Sequence, residues 1–282
     1  MSGPVYRSYS QAELDAQYDQ RTLVSDMSPY IALWREKAEK AAAGLKPEAG
    51  VAYGRGANET LDVFRSSSSF RGIHVHYHGG AWRALSSQDC WFLAEPWVAA
   101  GYTFVAVNFD LVPAVPLVTQ VEQARRALVW CADNTGMLGG AVDQITLSGH
   151  SSGAHLAAMA GLTQWSEPAP AVRAVILASG PYDLEPVRLS ARNDYLKLDK
   201  AQALALSPVR NLLAKPPPCS VIWSTNELDE FQRQSAEMAG RLEQRGAVLR
   251  LPLDVPTHFD TWEMVHPSVL KNVFCEKHVP RA

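Results

Sequence analysis

Gly149-His150-Ser151-Ser152-Gly153 is the segment of this sequence best suited to chemistry. The run before it, from Gln144 to Ser148, reads as a strand, and the run after it, from Ala154 to Leu162, as a helix. A strand that turns sharply into a helix forces the central residue into strained backbone. Glycines two positions either side then let neighbouring backbone approach without a Cβ clash. The Ser151 hydroxyl would stand at a helix N-terminus, where unpaired N–H groups and the dipole favour developing negative charge. Outside that context the same residues would make only a Gly/Ser turn.

A serine hydroxyl attacks only when a base takes its proton, and the base needs a carboxylate to hold its tautomer. Eight histidines are available. His258, in Pro256-Thr257-His258-Phe259-Asp260, follows the run Val248–Leu253 and sits where a loop could carry an imidazole over Ser151. His155, one helical turn past Ser151, is better placed to orient neighbours, and His266 and His278 fall toward the C-terminal end. For the acid, the turn after Ser220–Ser224 offers Glu227, Asp229 and Glu230. Glu227 is nearest the strand end and is preferred; Asp229 is the alternative acid, or else the N-cap of the helix that follows.

Acyl transfer also needs donors for the oxygen that becomes negative. His78-Gly79-Gly80-Ala81-Trp82 follows the run Ile73–Tyr77 and could supply them from the backbone N–H groups of Gly80, Ala81 and Ser152, with Gly79 providing the turn. A competing chemistry lies in the same place. His74, His76 and His78 alternate along one strand, so three imidazoles share a face and could hold zinc. No Asp or Glu at suitable spacing accompanies them, and core or supporting histidines are the preferred reading, with no metal.

The elements that must position these groups form an alternation. Ile73–Tyr77, Phe104–Phe109, Ile145–Leu147, Val175–Ala178, Val221–Ser224 and Val248–Leu253 are short apolar runs, mostly separated by segments of helical spacing such as Val121–Asp133 and Gln232–Gln244. That order predicts an α/β fold with a mostly parallel sheet covered by helices on both faces. Leu61–Phe64 could add an antiparallel edge strand. Residues 1–45 read as two helices, Gln11–Asp19 and Pro29–Ala43, with Ser28 and Pro29 as N-cap and N1, packed over one end. Residues 183–216 are too long for a simple crossover and read as a small helical cap. The whole chain of 282 residues is then one domain.

Composition narrows the classes further. With 47% hydrophobic and 20% charged residues the chain is an ordinary globular protein, able to bury a sizeable core. Twenty-six basic against 29 acidic side chains, with no run of like charge, argue against nucleic acid or a polybasic membrane patch. Four cysteines without CxxC spacing write neither a zinc knuckle nor a redox pair and fit a reducing compartment. No leader-like or bilayer-length apolar stretch is present, so the expectation is a cytoplasmic protein acting on a small molecule, with a homodimer as the default assembly.

With these residues assembled, the sequence resembles the α/β-hydrolases of the kynurenine formamidase (arylformamidase) group, themselves similar to hormone-sensitive-lipase-like esterases. The order serine, acid, histidine is that of the fold. The resemblance runs from about Tyr18 to Thr261. Its carriers are residues 78–82, Asn108-Phe109-Asp110-Leu111-Val112-Pro113, residues 149–156, Ser179-Gly180-Pro181-Tyr182-Asp183-Leu184, Asn193-Asp194 with Ser207-Pro208, and residues 230–235. It implies a serine, acid and histidine triad, here Ser151 and His258 with Glu227 or Asp229 as the acid, no metal or organic cofactor, and hydrolysis of N-formyl-kynurenine to kynurenine and formate, often beside aryl-ester cleavage. Three positions depart from the group: Glu227 stands where aspartate is usual, Ala81 where an aromatic is usual, and Ser152 where alanine is usual. A smaller Ala81 leaves room for a bulkier acyl or aryl group, which a chain-length series of p-nitrophenyl esters tests. Trp82, Tyr182, Tyr195 and Phe259 are the candidate contacts to an aromatic leaving group. The rival readings are a carboxylesterase or lactonase with the same machinery, a non-catalytic binding protein on this fold, and a metallohydrolase.

Overall fold

Four strands have every residue buried: β3 (Gly72–Tyr77), β5 (Ile145–His150), β6 (Ala174–Ala178) and β7 (Cys219–Ser224). Burial on both faces is what a parallel strand between two helical layers requires, and these runs are accordingly near-continuously apolar. A computed structural model describes residues 3–66, 70–140, 145–166, 168–246 and 248–270. The other strands are β1 (Glu48–Ala52), β2 (Thr60–Phe64), β4 (Tyr102–Val107) and β8 (Val248–Leu253), and the sheet order is β1-β2-β4-β3-β5-β6-β7-β8. The β1–β2 and β2–β4 pairs are antiparallel, and all others are parallel.

The edge differs from the sequence reading. Leu61–Phe64 falls inside β2, which pairs on both sides, and β1 is the edge. Glu-Ala-Gly-Val-Ala lacks both alternation and β-branched content, so β1 carried no signal. It is held from outside, where the Gly50 N–H donates to Asp62 Oδ1 at 2.9 Å, and a register shift between Glu48 and Val51 blunts the edge.

The helices are α1 (Gln11–Ala16), α2 (Ser28–Leu45), α3 (Ala94–Ala99), α4 (Leu117–Asp133), α5 (Thr135–Leu138), α6 (Ser152–Gly161), α7 (Leu184–Leu189), α8 (Asn193–Leu196), α9 (Lys200–Ala205) and α10 (Asp229–Glu243). One apolar layer joins the sheet to α4, α6, α10 and the cap. The other joins it to α2, α3 and the segment around Trp262. Both N-terminal helices form where expected, but Ser28 is the first helical residue rather than the cap. Met27 holds the cap position, and the Ser28 N–H is taken by Asp26 Oδ1 at 2.9 Å. Residues 183–216 contain α7, α8, α9 and a 3-10 turn, Pro208–Arg210, pinned by a 2.7 Å ion pair between Arg210 and Asp183. Asp229 likewise opens α10 instead of capping it; the cap is Leu228.

Register decides what meets at the carboxyl edge. Tyr77 pairs with Gly149 and His150 with Ala178, and the ladder continues past the strands through Ser151 N–H to the Ala178 carbonyl and Ser179 N–H to the Ile222 carbonyl, each 2.8 Å. The loops after β3, β5, β6, β7 and β8 therefore converge on one spot, the usual binding edge of such sheets.

Candidate active site

Ser151 sits between β5 and α6 with φ 54° and ψ −125°, a conformation L residues rarely adopt. The flanking glycines make it possible. A Cβ on Gly149 would meet the Gly153 carbonyl oxygen at 2.1 Å, and one on Gly153 would meet the Tyr77 carbonyl oxygen at the same distance. The elbow thus exists because two backbones touch where side chains would be. Ser151 is 8% exposed and faces a cavity of about 820 Å³ that His258 also lines.

His258 is held from four sides. Its Nδ1 lies 2.6 Å from Glu227 Oε2, placed to donate. Its carbonyl accepts from His150 Nε2 at 2.9 Å and from the Thr261 hydroxyl at 2.7 Å. Phe231 and Phe259 pack edge-on against the ring. Asp260 fixes the loop itself, since its Oδ2 accepts from the Thr257 N–H at 2.8 Å, the Thr257 hydroxyl at 2.7 Å and Tyr30 at 3.2 Å. Glu227 Oε1 takes a second bond from the Ser179 hydroxyl at 3.0 Å. Of the two sequence candidates for the acid, Glu227 reaches the imidazole, whereas Asp229 makes no hydrogen bond to it. A glutamate suits this turn because the carboxylate spans from the start of the loop after β7 to the loop after β8.

Burial sets the charge of this pair. Desolvation raises the Glu227 carboxyl to about 8 against the opposing pull of Ser179, and it lowers the His258 imidazole to about 3, with the Arg192 guanidinium adding to the fall. Both shifts have the same first cause, the cost of holding a full charge out of water.

The loop after β3 lies against this elbow. Gly80 at φ +103° makes the turn, not Gly79, and the left-handed run continues through Ala81 and Trp82. Gly79 serves close approach instead: a Cβ there would meet the His150 carbonyl oxygen at 3.0 Å and Ser151 Cβ at 3.4 Å. No backbone bond among the described residues uses the N–H of Gly80 or Ala81, and Ser152, the first residue of α6, has the free N–H of a helix start. These are the three donors the sequence nominated. The Ser152 hydroxyl adds a tie between loop and elbow by accepting from the Trp82 N–H at 3.1 Å. Ser152→Ala leaves that buried N–H unpaired, a loss of about 1–3 kcal/mol that loosens the loop. Steady-state kinetics on p-nitrophenyl acetate should show kcat lower by about tenfold with KM little changed; an unchanged kcat would remove this role.

Two candidate substrate contacts are corrected. Trp82 is 1% exposed, its indole N–H donates to His155 Nδ1 at 3.2 Å and its carbonyl is bonded by Gln120. Tyr182 is fully buried with its hydroxyl against the Gly180 N–H. Both are packing residues that support the site. Tyr195 and Phe259 do line the cavity, with Ala81. His155 orients as the sequence suggested, accepting from Trp82 and donating to the Leu206 carbonyl at 2.8 Å, which links the loop to the cap.

Sequence reasoning did not assign the roof. Tyr18, Met27, Ile31 and Trp34, from the N-terminal segment, and Arg192 from the cap all line the cavity. His150, Ser179 and Thr261 were likewise unassigned. The first is legible in hindsight, since it occupies the variable position before the nucleophile; nothing in the sequence marks the other two.

His74 and His76 are consumed by an internal chain. Trp262 Nε1 donates to His76 Nε2 at 3.0 Å, His76 Nδ1 contacts Ser148 at 2.7 Å, Ser148 contacts His74 Nε2 at 2.6 Å, and His74 Nδ1 contacts Thr146 at 2.8 Å. A single direction of donation satisfies the whole chain, so no ring nitrogen of either residue is left for a metal. His78 is apart from them, stacked on Phe109 with its Nδ1 on the Gly79 carbonyl. His266 lies outside the site with its ring on Ser268, and His278 falls outside the described residues.

Residues 61–226 match the BD-FAE family model. Kynurenine formamidase of Danio rerio is 31% identical over 96% of this chain and 96% of its own length. Kynurenine formamidase of Salmo salar is 31% identical over 89% of this chain and 88% of its own. Among solved structures, an esterase of Pyrobaculum calidifontis superposes with TM-score 0.69 at 19% identity, covering 94% of this chain and 98% of that one, a likeness of fold.

Proposed function

Because this chain belongs to the BD-FAE family and is 31% identical to kynurenine formamidases over most of its length, we propose that it is a serine hydrolase of the α/β-hydrolase fold cleaving an aryl formamide such as N-formyl-kynurenine. One observation carries the reading: Ser151, on its strained elbow, opens onto the same cavity as an imidazole whose far nitrogen is 2.6 Å from a buried carboxylate. In the resting protein no hydrogen bond joins the Ser151 hydroxyl to His258 among the described residues, and such contacts tighten on substrate binding.

His258 takes the Ser151 proton as the hydroxyl attacks the formyl carbon. The oxyanion is held by the N–H groups of Gly80, Ala81 and Ser152, and protonated His258 then gives its proton to the departing amine. Water, deprotonated by the same imidazole, attacks the formyl-enzyme and releases formate. At about 820 Å³ the cavity has the volume of a small-molecule site. Buried, free Cys90, Cys131 and Cys219 support a cytoplasmic setting for this chemistry, and no helix among the described residues is long and apolar enough to cross a membrane.

The test compares kcat/KM on N-formyl-kynurenine and on p-nitrophenyl acetate. Turnover of the formamide at least equal to that of the ester supports the reading. Ester turnover alone keeps the machinery and moves the assignment to a carboxylesterase, the second reading, which Ala81 on the cavity wall favours.

The pH profile supplies a separate check. The Arg192 cation disfavours the His258 imidazolium, so removing it with Arg192→Met makes the base easier to protonate. Activity needs the unprotonated base, and the acid limb of kcat/KM for p-nitrophenyl acetate should therefore move to higher pH. An unchanged limb, or one moved to lower pH, contradicts the influence of the Arg192 charge on His258.

A further inference from the structure

We infer that Arg192 is a carboxylate-binding residue of the Ser151 cavity, so that the protein selects substrates carrying an anionic group beyond the scissile carbonyl. The inference rests on the reading of this cavity as the acyl-transfer site.

The cavity wall carries three aspartates and three arginines, of which only Asp19 and Arg21 are joined in an ion pair among the described residues. Asp15 Oδ1 accepts from the Gln11 side chain and the Ala191 N–H. Asp19 gives both carboxylate oxygens to Arg21, with contacts of 2.7 to 3.1 Å. Asp15, Asp194, Arg83 and Arg192 are in no ion pair among the described residues, which leaves both cations without a paired carboxylate beside two anions. Arg83 is exposed at the mouth with its guanidinium 4.4 Å over the Tyr195 ring.

Arg192 is different because it is fixed. Its Nε and Nη2 donate to the Tyr18 carbonyl at 2.9 and 2.7 Å, and its guanidinium lies 5.7 Å from the Tyr18 ring and 5.9 Å from the Phe231 ring. The remaining nitrogen, Nη1, is buried and has no acceptor among the described residues. A buried N–H of a cation without an acceptor is costly to the resting protein, and an incoming oxygen would recover that cost. A planar guanidinium with one edge anchored presents the other as a ready donor pair for a carboxylate. The site is also near the chemistry, since Phe231 packs on His258 and the Arg192 charge acts on that imidazole. A carboxylate one small-molecule length from the carbonyl would satisfy Nη1 while the carbonyl rests on Ser151.

Two matched pairs test this with the full-length protein. The formamide pair is N-formyl-kynurenine and N-formyl-2-aminoacetophenone, which lacks the amino-acid head. The ester pair is 3-(4-acetoxyphenyl)propanoate and its primary amide, which differ only in the carboxylate. The readout is the ratio of kcat/KM within a pair, in which general damage to the enzyme cancels. Wild type should favour the carboxylate member by about tenfold or more, mainly through KM, as expected for a charge-assisted bond. Arg192→Met should bring the ratio to about one, and Arg192→Lys should fall between. A wild-type ratio near one, or a ratio that Arg192→Met leaves unchanged, overturns the inference. Esters that keep the ratio while neither formamide is turned over would sink the formamidase reading and leave the subsite standing; formamides turned over equally would do the reverse. Should Arg192→Met not fold, competition decides: 3-phenylpropanoate must inhibit wild type at about tenfold lower concentration than 3-phenylpropanamide, and equal inhibition overturns the proposal.

Discussion

Ser151→Ala should lower kcat on both N-formyl-kynurenine and p-nitrophenyl acetate by about 10⁴–10⁶-fold with little change in KM. The hydroxyl is the group that forms the bond to the acyl carbon, and the neighbouring hydroxyl, that of Ser152, is turned to the Trp82 N–H. The residual rate comes from the donors of Gly80, Ala81 and Ser152, which still hold the carbonyl while water attacks. Alanine keeps the backbone in place because the strained φ is imposed by the contacts of Gly149 and Gly153 rather than by the serine side chain. A mass shift on organophosphate treatment should appear in wild type and be lost in the variant. Retention of more than about one hundredth of the activity, or labelling that survives the substitution, would show that another residue attacks.

The next largest effect belongs to Glu227→Gln, for which a fall in kcat of about 10³–10⁴-fold is expected. The carboxylate does two things at 2.6 Å from His258 Nδ1: it holds the proton on that nitrogen, leaving Nε2 free to accept from Ser151, and it offsets the charge of the imidazolium. An amide of the same shape loses the charge. It also has one oxygen where two are needed, since Ser179 already donates to Oε1 and the imidazole to Oε2. Asp229→Asn is the matched control. That carboxylate sits at the start of α10, away from the imidazole, and its loss should change kcat by less than about twofold while removing a small helix-dipole contribution. The reverse pattern, with Asp229 sensitive and Glu227 tolerant, would reassign the acid.

The two carboxylates show where sequence reading stops. Both lie within five residues of the end of β7, and spacing alone prefers the nearer without excluding the other. The decision was made by β8, whose loop brings His258 down beside one of them and is itself tied by Ser224 and Asn226 to the Val255 carbonyl. Trp82 and Tyr182 make the same point. An aromatic next to a reactive loop looks like a substrate contact, yet both rings turn inward, because His155 and Gly180 lie on the inner side and the cap closes over them. The strand β1 escaped for another reason: an edge strand with half its groups in solvent needs neither apolar alternation nor β-branched residues.

What the sequence by itself determined is the local geometry: a strand, a glycine, a serine and a second glycine leading into a helix admit one steric solution, and the apolar runs around them admit one kind of sheet. The order of serine, acid and histidine followed from the order of those strands. Only the tertiary structure decided which carboxylate pairs with His258, which aromatics see the cavity, and that the N-terminal segment with Tyr18 and Trp34 roofs it beside Arg192. Backbone conformation is set by a few adjacent residues through contacts at fixed covalent distance. The direction a side chain faces across a cavity is set by elements far apart in the chain, as where Arg192 donates to the carbonyl of Tyr18, 174 residues away, and such pairings exist only once the layers have packed.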